Sequence, residues 1–327
     1  MRALFVTDPL AGLRAEVDAT VGLMTASQRL GVEVWVCGPE QLAVVDGRVQ
    51  ARARRIRVRP AQRRGDHRWL VDPTWWDELD ADVLDVATEV DLVQLRIDPP
   101  VDARYLHTTY LLDLVESAGV RVVNRPEGIR ALHEKIVALQ FPELCPETVV
   151  SADSGTVRAF VARVGAAVIK PVDGFAGIDV WLVRDDAAAT ALVESATRGG
   201  TRHVIAQAYL PDVESGNKRL FLLDGEIVGA VLRRPSRDDF RIGPPVAPAE
   251  VDERDLRIVE AVAPLLERHG IALAGLDVID GRLIEVNVTC PGGMHKTDAL
   301  LGTDLSGDIM RRLLHHHAAP MKEGVLR

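Results

Sequence analysis

Two carboxylates and an amide in the C-terminal part of the chain could hold a metal ion. Asp277 precedes an Asp280-Gly281 pair, and Glu285 and Asn287 follow it. Asp-Gly between two apolar runs predicts a hairpin turn, which folds Asp277 back beside the other two side chains. Glu285 and Asn287 are two residues apart and therefore leave the same face of a strand. Such oxygen ligands suit Mg²⁺ that carries nucleotide phosphates, but a solvated polar face of an amphipathic hairpin explains this segment about equally well.

A lysine and a glycine-bearing loop favour the phosphate interpretation. Lys170 ends an apolar strand over residues 166–171, and a loop with two glycines follows over 173–177. Glycines let a backbone approach phosphates closely and present its N–H groups to them. The loop is not a Walker loop, because no Gly-Lys-Ser/Thr follows the glycines. Alone, such a loop is more often just a tight turn, but a lysine on a buried strand beside it is harder to explain that way, since an unpaired lysine is rarely buried.

Length and composition define the class of protein that can carry these groups. The 327 residues can hold two or three domains. A formal charge of −9 argues against a nucleic-acid or membrane-surface partner, because both require a basic patch. Three scattered cysteines predict no disulfide framework, and neither a signal pattern nor an apolar run of membrane-spanning length is present. We therefore expect a cytoplasmic protein.

The N-terminal part of the chain, to about residue 125, predicts a three-layer α/β unit with a parallel sheet. Its apolar strands alternate with helices that end at glycines. The strands are predicted over 2–7, 32–36, 48–58, 90–95 and 120–123, and the helices over 18–30 and 102–118. The arginine-rich stretch 52–68 is predicted to be a solvated loop or a β-ribbon. The tryptophan-bearing segment 62–82 is predicted as a loop.

The remainder of the chain changes pattern. A helix over 127–140 is predicted to carry Lys135, and short strands and helices to about residue 208 predict a compact, lid-like subdomain. A proline-rich loop is predicted over 235–248. The last predicted elements are a long helix over 252–269, the Asp277 hairpin and a closing helix over 298–314.

The order of motifs along the chain resembles bacterial glutathione synthetase, a member of the ATP-grasp superfamily. The likeness extends from Val-Thr-Asp-Pro (6–9) to about residue 315. The motifs that carry it are Asn-Arg-Pro (124–126), His-Glu-Lys (133–135), Ile-Lys-Pro-Val-Asp-Gly-Phe-Ala-Gly (169–177), Ala-Gln-Ala-Tyr-Leu-Pro (206–211), Lys-Arg (218–219), Gly-Leu-Asp (275–277) and Glu-Val-Asn-Val-Thr (285–289).

The resemblance implies an α/β protein with an ATP-grasp fold and an N-terminal three-layer α/β (pre-ATP-grasp) domain. The implied N-terminal α/β domain, on the substrate side, covers residues 1–125, and an ATP-grasp lid subdomain covers 126–210. A C-terminal catalytic domain with the metal hairpin covers 211–318, and a tail covers 319–327.

The resemblance also implies roles for individual residues. ATP would be bound by Lys135, Lys170, Gly174, Phe175, Ala176, Gly177, Gln207, Tyr209, Leu210 and Asn217. Two Mg²⁺ ions, which Mn²⁺ can replace, would be held by Asp277, Glu285 and Asn287. Arg219 and Arg233, on two strands that flank the Asp224-Gly225 turn, are the catalytic candidates, because the guanidinium fork suits a transferring phosphoryl group or a substrate carboxylate. Arg96, Asp98 and Arg241 are the substrate-binding candidates.

This inventory matches a carboxylate–amine ligase. A carboxylate is a poor electrophile, but phosphorylation by ATP converts it into an acylphosphate that an amine can attack. Two segments, 235–246 and 290–296, depart from the family pattern where substrates rather than nucleotide would bind. We therefore expect an enzyme that joins amino-acid-like or peptide substrates, as a homo-oligomer, and favour an amino-acid or γ-glutamyl dipeptide ligase.

Three alternatives remain open. The first is glutathione synthetase itself, with γ-glutamylcysteine and glycine as substrates. The second is a ligase that modifies a protein or carrier tail. The third is a non-catalytic nucleotide-binding module, which the competent ligands at all three metal positions disfavour.

Overall fold

The computed structural model of the protein describes residues 1–65, 67–174, 177–236 and 239–315. Two compact units make up the described chain. Unit 1 contains Met1–Asp98, Ala103–Gly128 and the described residues from Gly292 on, and unit 2 contains Pro99–Asp102 and Ile129–Pro291. The predicted division into four domains stays a prediction. No helix in the described ranges is long and apolar enough to cross a membrane.

Unit 1 is built on a sheet whose central strands are parallel. The strands of unit 1 are β1 (Arg2–Thr7), β2 (Glu33–Cys37), β3 (Leu42–Val45), β4 (Arg48–Val58), β5 (Gln62–Arg63), β6 (Trp69–Leu70), β7 (Trp76–Asp85), β8 (Leu92–Arg96) and β9 (Arg121–Val123). The sheet order is β3-β4-β2-β1-β8-β9, with β7 paired to β4. β1 runs parallel to both β2 and β8, as the βαβ pattern of the sequence predicted. β5 and β6 form a separate ribbon.

Helices cover this sheet and close unit 1. They are α1 (Ala19–Arg29), α2 (Val86–Glu89), α3 (Ala103–Ser117) and, near the C-terminus, α8 (Met294–Leu301) and α9 (Leu305–His315), while α4 (Pro126–Ala131) spans the boundary between the units. Asp18 caps α1 by accepting a hydrogen bond from the Thr20 N–H at 2.7 Å. Leu4, Phe5, Leu23 and Leu95 lie in the fully buried core between sheet and helices.

The loop predicted over 62–82 is wrong at three places. Residues 62–63 and 69–70 form the ribbon of β5 and β6, and residues 76–82 belong to β7. Its sequence, Trp-Asp-Glu-Leu-Asp-Ala-Asp-Val-Leu-Asp, is rich in aspartate, which strands usually disfavour. Arginines of β4 compensate across the ladder, for example Arg57 with Asp77 at 3.0 Å and Arg54 with Glu78 at 3.5 Å. The arginine-rich stretch is therefore in part a β-ribbon, one of its two predicted forms.

The single closing helix predicted over 298–314 is also wrong, because α8 and α9 are separate. Gly302 ends α8 with φ of 70°, in the left-handed region that favours glycine. The buried Asp298 carboxylate then accepts from the backbone N–H groups of Leu305 and Ser306 at 2.6 and 3.1 Å. These bonds satisfy the first amides of α9 and fix the break.

Unit 2 contains two antiparallel sheets. The first has the order β10-β13-β11-β12 and is packed by α5 and α6, and the second has the order β16-β15-β14-β17-β18. Their strands are β10 (Thr148–Ser151), β11 (Ala166–Pro171), β12 (Trp181–Arg184), β13 (Val204–Ala208), β14 (Asn217–Leu223), β15 (Glu226–Ser236), β16 (Asp239–Pro248), β17 (Leu273–Ile279) and β18 (Arg282–Asn287). The helices are α5 (Ser154–Val164), α6 (Ala189–Thr197) and α7 (Glu253–Arg268). Short 3-10 helices lie at Leu10–Gly12, Pro39–Gln41, Val137–Gln140, Pro142–Leu144 and Pro211–Glu214.

Two further predictions fail in unit 2. The helix predicted over 127–140 ends with α4 at Ala131, so Lys135 lies in a turn before the 3-10 helix at Val137–Gln140. The proline-rich loop predicted over 235–248 is mostly β16, paired with β15. β16 is the edge strand of its sheet, where prolines are tolerated because they need not donate to a further neighbour.

Candidate active site

The predicted hairpin is confirmed and brings its polar residues together. Asp277 of β17 lies directly opposite Glu285 of β18, and Gly275 lies opposite Asn287. Asp280 and Gly281 both have positive φ, 47° and 68°, as a two-residue hairpin turn of this kind requires. Asn287 Nδ2 donates to the Gly275 carbonyl at 3.1 Å, which leaves Oδ1 as the atom that can serve as a ligand.

Two arginines converge on Asp277. Arg219, opposite Asp277 in the β14–β17 ladder, donates from Nε to Oδ1 at 2.5 Å and from Nη2 to Oδ2 at 3.1 Å. Arg233 Nη2 lies 2.6 Å from Oδ1. Burial by itself raises the pKa of Asp277, but the charges of Arg219 and Arg233 outweigh it and hold that pKa well below its usual range. Asp277 is therefore a permanent anion in this state.

The backbone register explains how both arginines reach one carboxylate. Arg219 lies opposite Val231, and Arg233 lies opposite Asn217, so the two arginines are diagonal rather than direct neighbours across β14 and β15. A Cβ at position 275 would lie 3.1 Å from Arg219 Cδ and Nη1. The missing side chain of Gly275 thus leaves room for the guanidinium to lie across β17.

Lys135 lies on the other side of the carboxylate pair. Its Nζ is 3.5 Å from Glu285 Oε1 and donates to the Gly174 carbonyl of the glycine loop. The preceding residue anchors this turn, since Glu134 Oε1 accepts from the backbone N–H groups of Val288 and Thr289 at 3.0 and 2.9 Å. Glu134 was missed as a functional residue, although the His-Glu-Lys run of the sequence contains it.

Lys170 is buried without a hydrogen-bond partner among the described residues. Burial lowers the pKa of its ammonium group, and the nearby Glu285 carboxylate only partly offsets that effect. An anionic ligand would strongly stabilise this buried ammonium group, because it would supply a negative charge and hydrogen-bond acceptors.

The charges of the site favour a phosphate-bearing ligand. Four cations, those of Lys135, Lys170, Arg219 and Arg233, lie among three carboxylates, those of Glu134, Asp277 and Glu285, so positive charge is in excess. The oxygens of Asp277, Glu285 and Asn287 are ligands that Mg²⁺ prefers. No cluster of three His, Cys, Asp or Glu side chains exists in the described part of the chain. The set therefore fits a Mg²⁺ ion that takes its remaining ligands from phosphate and water, as Mg²⁺ usually does.

The predicted nucleotide residues have distinct surroundings. Gln207 is buried and donates to Thr148 Oγ1 at 3.1 Å, while Tyr209 and Leu210 are half-buried at the end of β13. Asn217 is buried, and its Oδ1 accepts from Arg233 Nε at 3.1 Å. This contact indicates that Asn217 orients Arg233 in the present state, whereas a ribose contact stays a prediction.

The structure describes part of the glycine loop and its neighbour Arg241. Gly174 and Gly177 are described, whereas Phe175 and Ala176 lie outside the described residues. Arg241 Nη1 donates to the Gly177 carbonyl at 3.5 Å, which is the upper limit for such a bond. Arg241 was predicted to bind substrate, and that role stays a prediction.

The two substrate-binding candidates of unit 1 have different environments. Arg96 is 4% exposed, and its Nε donates to Thr20 Oγ1 at 3.2 Å. Asp98 is exposed and follows the end of β8. The substrate-binding roles predicted for Arg96 and Asp98 stay predictions.

The two-sheet architecture of unit 2, with its carboxylate–cation site, is that of the ATP-grasp ligases. Solved structures with this fold cover nearly the whole chain. The RimK domain protein ATP-grasp from Sphaerobacter thermophilus matches with a TM-score of 0.59 at 20% identity, over 96% of this chain and 100% of that chain. The ATP-grasp ligase PsnB complexed with minimal precursor matches with a TM-score of 0.62 at 17% identity, over 96% and 98%.

Sequence comparison defines the family. The family model for the prokaryotic glutathione synthetase N-terminal domain matches residues 1–130, and the model for the ATP-grasp domain matches residues 134–302. Glutathione synthetase of Thermosynechococcus vestitus is 41% identical over 95% of this chain and 98% of its own length, and that of Synechocystis sp. is 39% identical over the same shares. The chain belongs to the prokaryotic glutathione synthetase family. It is an ATP-dependent ligase that forms carbon–nitrogen bonds.

Proposed function

We propose that the protein is a glutathione synthetase, which joins γ-glutamylcysteine and glycine with conversion of ATP into ADP and phosphate. The observation that carries the proposal is the near-full-length identity of about 40% to curated glutathione synthetases. Both substrates are small molecules. The interpretation favoured from sequence, a diverged amino-acid or γ-glutamyl dipeptide ligase, is less well supported, because that identity extends over both units.

The reaction proceeds in two steps in which atoms and charges balance. A carboxylate oxygen of the donor, the cysteinyl carboxylate of γ-glutamylcysteine, attacks the γ-phosphorus of ATP and ADP leaves. The glycine ammonium loses a proton to water, its amine attacks the acyl carbon, a carbon–nitrogen bond forms, inorganic phosphate leaves, and the nitrogen releases a second proton to give the amide. Positioning and charge stabilisation supply most of the catalysis in phosphoryl transfer, since the protein has little covalent chemistry to perform.

The side chains of unit 2 divide this work. Lys135 and Lys170 bind the α- and β-phosphates, and Lys135 also orders the glycine loop through the Gly174 carbonyl. Arg219 and Arg233 are held by Asp277 and face the charge that develops on the transferred group. Asp277, Glu285 and Asn287 would hold one or two Mg²⁺ ions, which neutralise phosphate charge when bound.

An ADP-release assay with substrate pairs tests the proposal. We expect γ-glutamylcysteine with glycine to give by far the highest kcat/KM, and mass spectrometry of the product to show glutathione. Glutamate paired with each common amino acid is the comparison set, and a carrier-protein tail forms a third arm. A higher kcat/KM for a glutamate pair would favour the diverged ligase that the altered segments 235–246 and 290–296 suggested. The predicted homo-oligomeric state is a separate proposal that ultracentrifugation can check.

A further inference from the structure

Lys135 lies in a turn that connects the two sheets of unit 2. The turn precedes the 3-10 helix at Val137–Gln140, which packs against β18. On one side, Lys135 Nζ is 3.5 Å from Glu285 Oε1 of β18, in the second sheet. On the other side, the same Nζ donates to the carbonyl of Gly174, in the loop that follows β11 of the first sheet. The position of this ammonium group therefore depends on what fixes the turn.

Glu134 attaches the turn to an edge strand. β18 is the last strand in its sheet order, and the outward amides of an edge strand need an acceptor from elsewhere in the chain. The backbone carbonyl of Glu134 accepts from the Val286 N–H at 3.0 Å, and its Oε1 accepts from the Val288 N–H at 3.0 Å. Both valines are fully buried, so an unpaired amide at either position would lie away from water.

A single oxygen of Glu134 makes all of these side-chain contacts. Besides the Val288 N–H, Oε1 accepts from the Thr289 N–H at 2.9 Å and from Thr289 Oγ1 at 2.6 Å. Hydrogen bonds to an ionised carboxylate are stronger than bonds between neutral groups. The Glu134 carboxylate therefore holds the chain that leaves β18, as a neighbouring strand would hold it.

The bond between residues 134 and 286 also determines which side chains meet. Lys135 follows Glu134, and Glu285 precedes Val286, so the two charged residues are the next neighbours of the bonded pair. The Lys135 and Glu285 side chains are only 9% and 18% exposed. A small displacement of a group that contacts a reacting ligand can cost a large factor in rate or affinity. The attachment through Glu134 therefore fixes the distance between Lys135 and the metal-binding strand.

Glu134 also contributes charge to the site. Burial lowers the pKa of the Arg219 guanidinium, but the carboxylates of Asp277, Glu285 and Glu134 outweigh burial and raise that pKa. The Glu134 carboxylate can thus act through its charge or through its hydrogen bonds. Glutamine keeps an acceptor oxygen and has no charge, so a glutamine variant separates the two effects.

We propose that Glu134 is a positioning residue for ATP, which acts through Lys135 by holding this lysine between β18 and the glycine loop. The inference rests on the proposed role of Lys135 in phosphate binding. A lysine that is held in place before the nucleotide arrives loses less side-chain freedom on binding, so the affinity is higher. The effect depends on the acceptor oxygen rather than on the charge, because all three side-chain donors bond to Oε1.

Calorimetric titration with a non-hydrolysable ATP analogue in the presence of Mg²⁺ tests the proposal. Glu134→Ala should weaken binding of the analogue about 10-fold, because the Val288 and Thr289 donors lose their acceptor and the turn is released. Glu134→Gln keeps an acceptor oxygen and should bind within about threefold of wild type. Glu194→Ala, a matched change at an exposed position of α6 in the same unit, should leave the affinity unchanged.

A double-mutant cycle separates positioning from a general loss of structure. Lys135→Ala should weaken binding of the analogue about 10- to 100-fold, the effect of a lost hydrogen bond to a charged group. Glu134→Ala added to Lys135→Ala should cause little further loss, because the lysine that it positions is gone. Thr289→Val removes one donor to Oε1 and should weaken binding about two- to threefold, but only while Lys135 is present. It provides the same test if Glu134→Ala fails to fold.

Three outcomes would overturn the proposal. The first is wild-type affinity in Glu134→Ala, and the second is a pair of losses that multiply in the double variant, as independent structural damage would give. The third is equal weakening in Glu134→Gln and Glu134→Ala, which would assign the effect to charge.

Failure of the proposed function gives a different result. Unchanged affinity in Lys135→Ala would remove this lysine from the phosphate site, and the inference would fall with it. A loss in Lys135→Ala that is absent in Glu134→Ala would overturn the inference alone. Because nucleotide binding is measured without the other substrates, the result does not depend on which substrates the enzyme joins.

Discussion

The two charged regions of this molecule differ in burial, and the difference indicates different tasks. In unit 2, the side chains of Arg219 and Asp277 are 9% and 12% exposed and hydrogen-bonded to each other. In unit 1, the Arg14 side chain, which pairs with Glu16 at 3.4 Å, is 72% exposed. Buried charges interact strongly and hold fixed positions, whereas exposed charges are screened and adapt to what they meet. The unit 2 site is thus held in one arrangement, whereas the exposed ion pair of unit 1 contributes little to a fixed geometry.

The first prediction compares a buried ion pair with an exposed one. Asp277→Asn leaves Arg219 and Arg233 buried without their shared anion, so we expect the opening free energy of the β14–β17 amides to fall by about 3–5 kcal/mol. Glu78→Gln removes the partner of Arg54 on the exposed face of β7 and should cost less than about 1 kcal/mol at β4. Native-state hydrogen exchange measures both opening free energies. Equal losses at the two sites would show that burial does not separate the regions.

The second prediction concerns turnover in unit 2. Glu285→Gln removes a carboxylate charge and one negative partner of Lys135, so the phosphates in the transition state are less well neutralised. We expect kcat for ADP release to fall on the order of 10²–10³-fold, with circular dichroism unchanged. Glu267→Gln, an exposed change at the C-terminal end of α7, serves as the control and should keep full activity. ADP release by Glu285→Gln at the wild-type rate would remove the hairpin from the mechanism.

Sequence predicted the β17–β18 hairpin of unit 2 better than its surroundings, for physical reasons. The Asp280-Gly281 turn and the two-residue spacing of Glu285 and Asn287 are local signals, and the hairpin register follows from them. The position of Lys135 was predicted on the wrong element, because its turn is fixed by a long-range bond from Val288 to Glu134. No local pattern reports such a bond.

Long-range contacts also explain the prediction errors in unit 1. β7 has an aspartate-rich sequence that becomes a strand only because arginines of β4 face it. The break between α8 and α9 depends on Asp298, a residue that reads as an ordinary helical position until its backbone partners are known.

The third prediction tests the buried lysine. Lys170→Ala should weaken ATP binding by about 1.5–3 kcal/mol, the contribution of a hydrogen bond to a charged group. Lys218→Ala is the matched control, because Lys218 is paired with Asp252 and Asp255 at 2.9 and 2.6 Å and supports α7 instead. Calorimetry should show the loss for the first variant only. Unchanged ATP affinity in Lys170→Ala would make Lys170 a strand-end residue with no ligand role.

The last prediction compares how the stability of the two units depends on pH. His295 of unit 1 is buried and stacked on Trp69 at 5.0 Å, and burial lowers its pKa from 6.5 to about 4. Between these values the unfolded chain binds a proton that the folded unit does not, so stability is full above pH 6.5 and falls as the pH is lowered toward 4. From pH 6.5 to 5.5 this loss is about 1 kcal/mol.

Unit 2 should respond only at lower pH. The pKa of Asp277 is depressed, so its contribution is complete above the ordinary value of 3.8 and is lost only as the pH falls below it. Hydrogen exchange, corrected for intrinsic rates, should therefore show β1 losing protection between pH 6.5 and 5.5 while β17 keeps its own. His295→Phe retains a ring against Trp69 without a titrating group, and it should flatten the loss at β1 by about 1 kcal/mol. A slope at β1 that is the same in wild type and His295→Phe would assign the acid sensitivity of unit 1 to other groups.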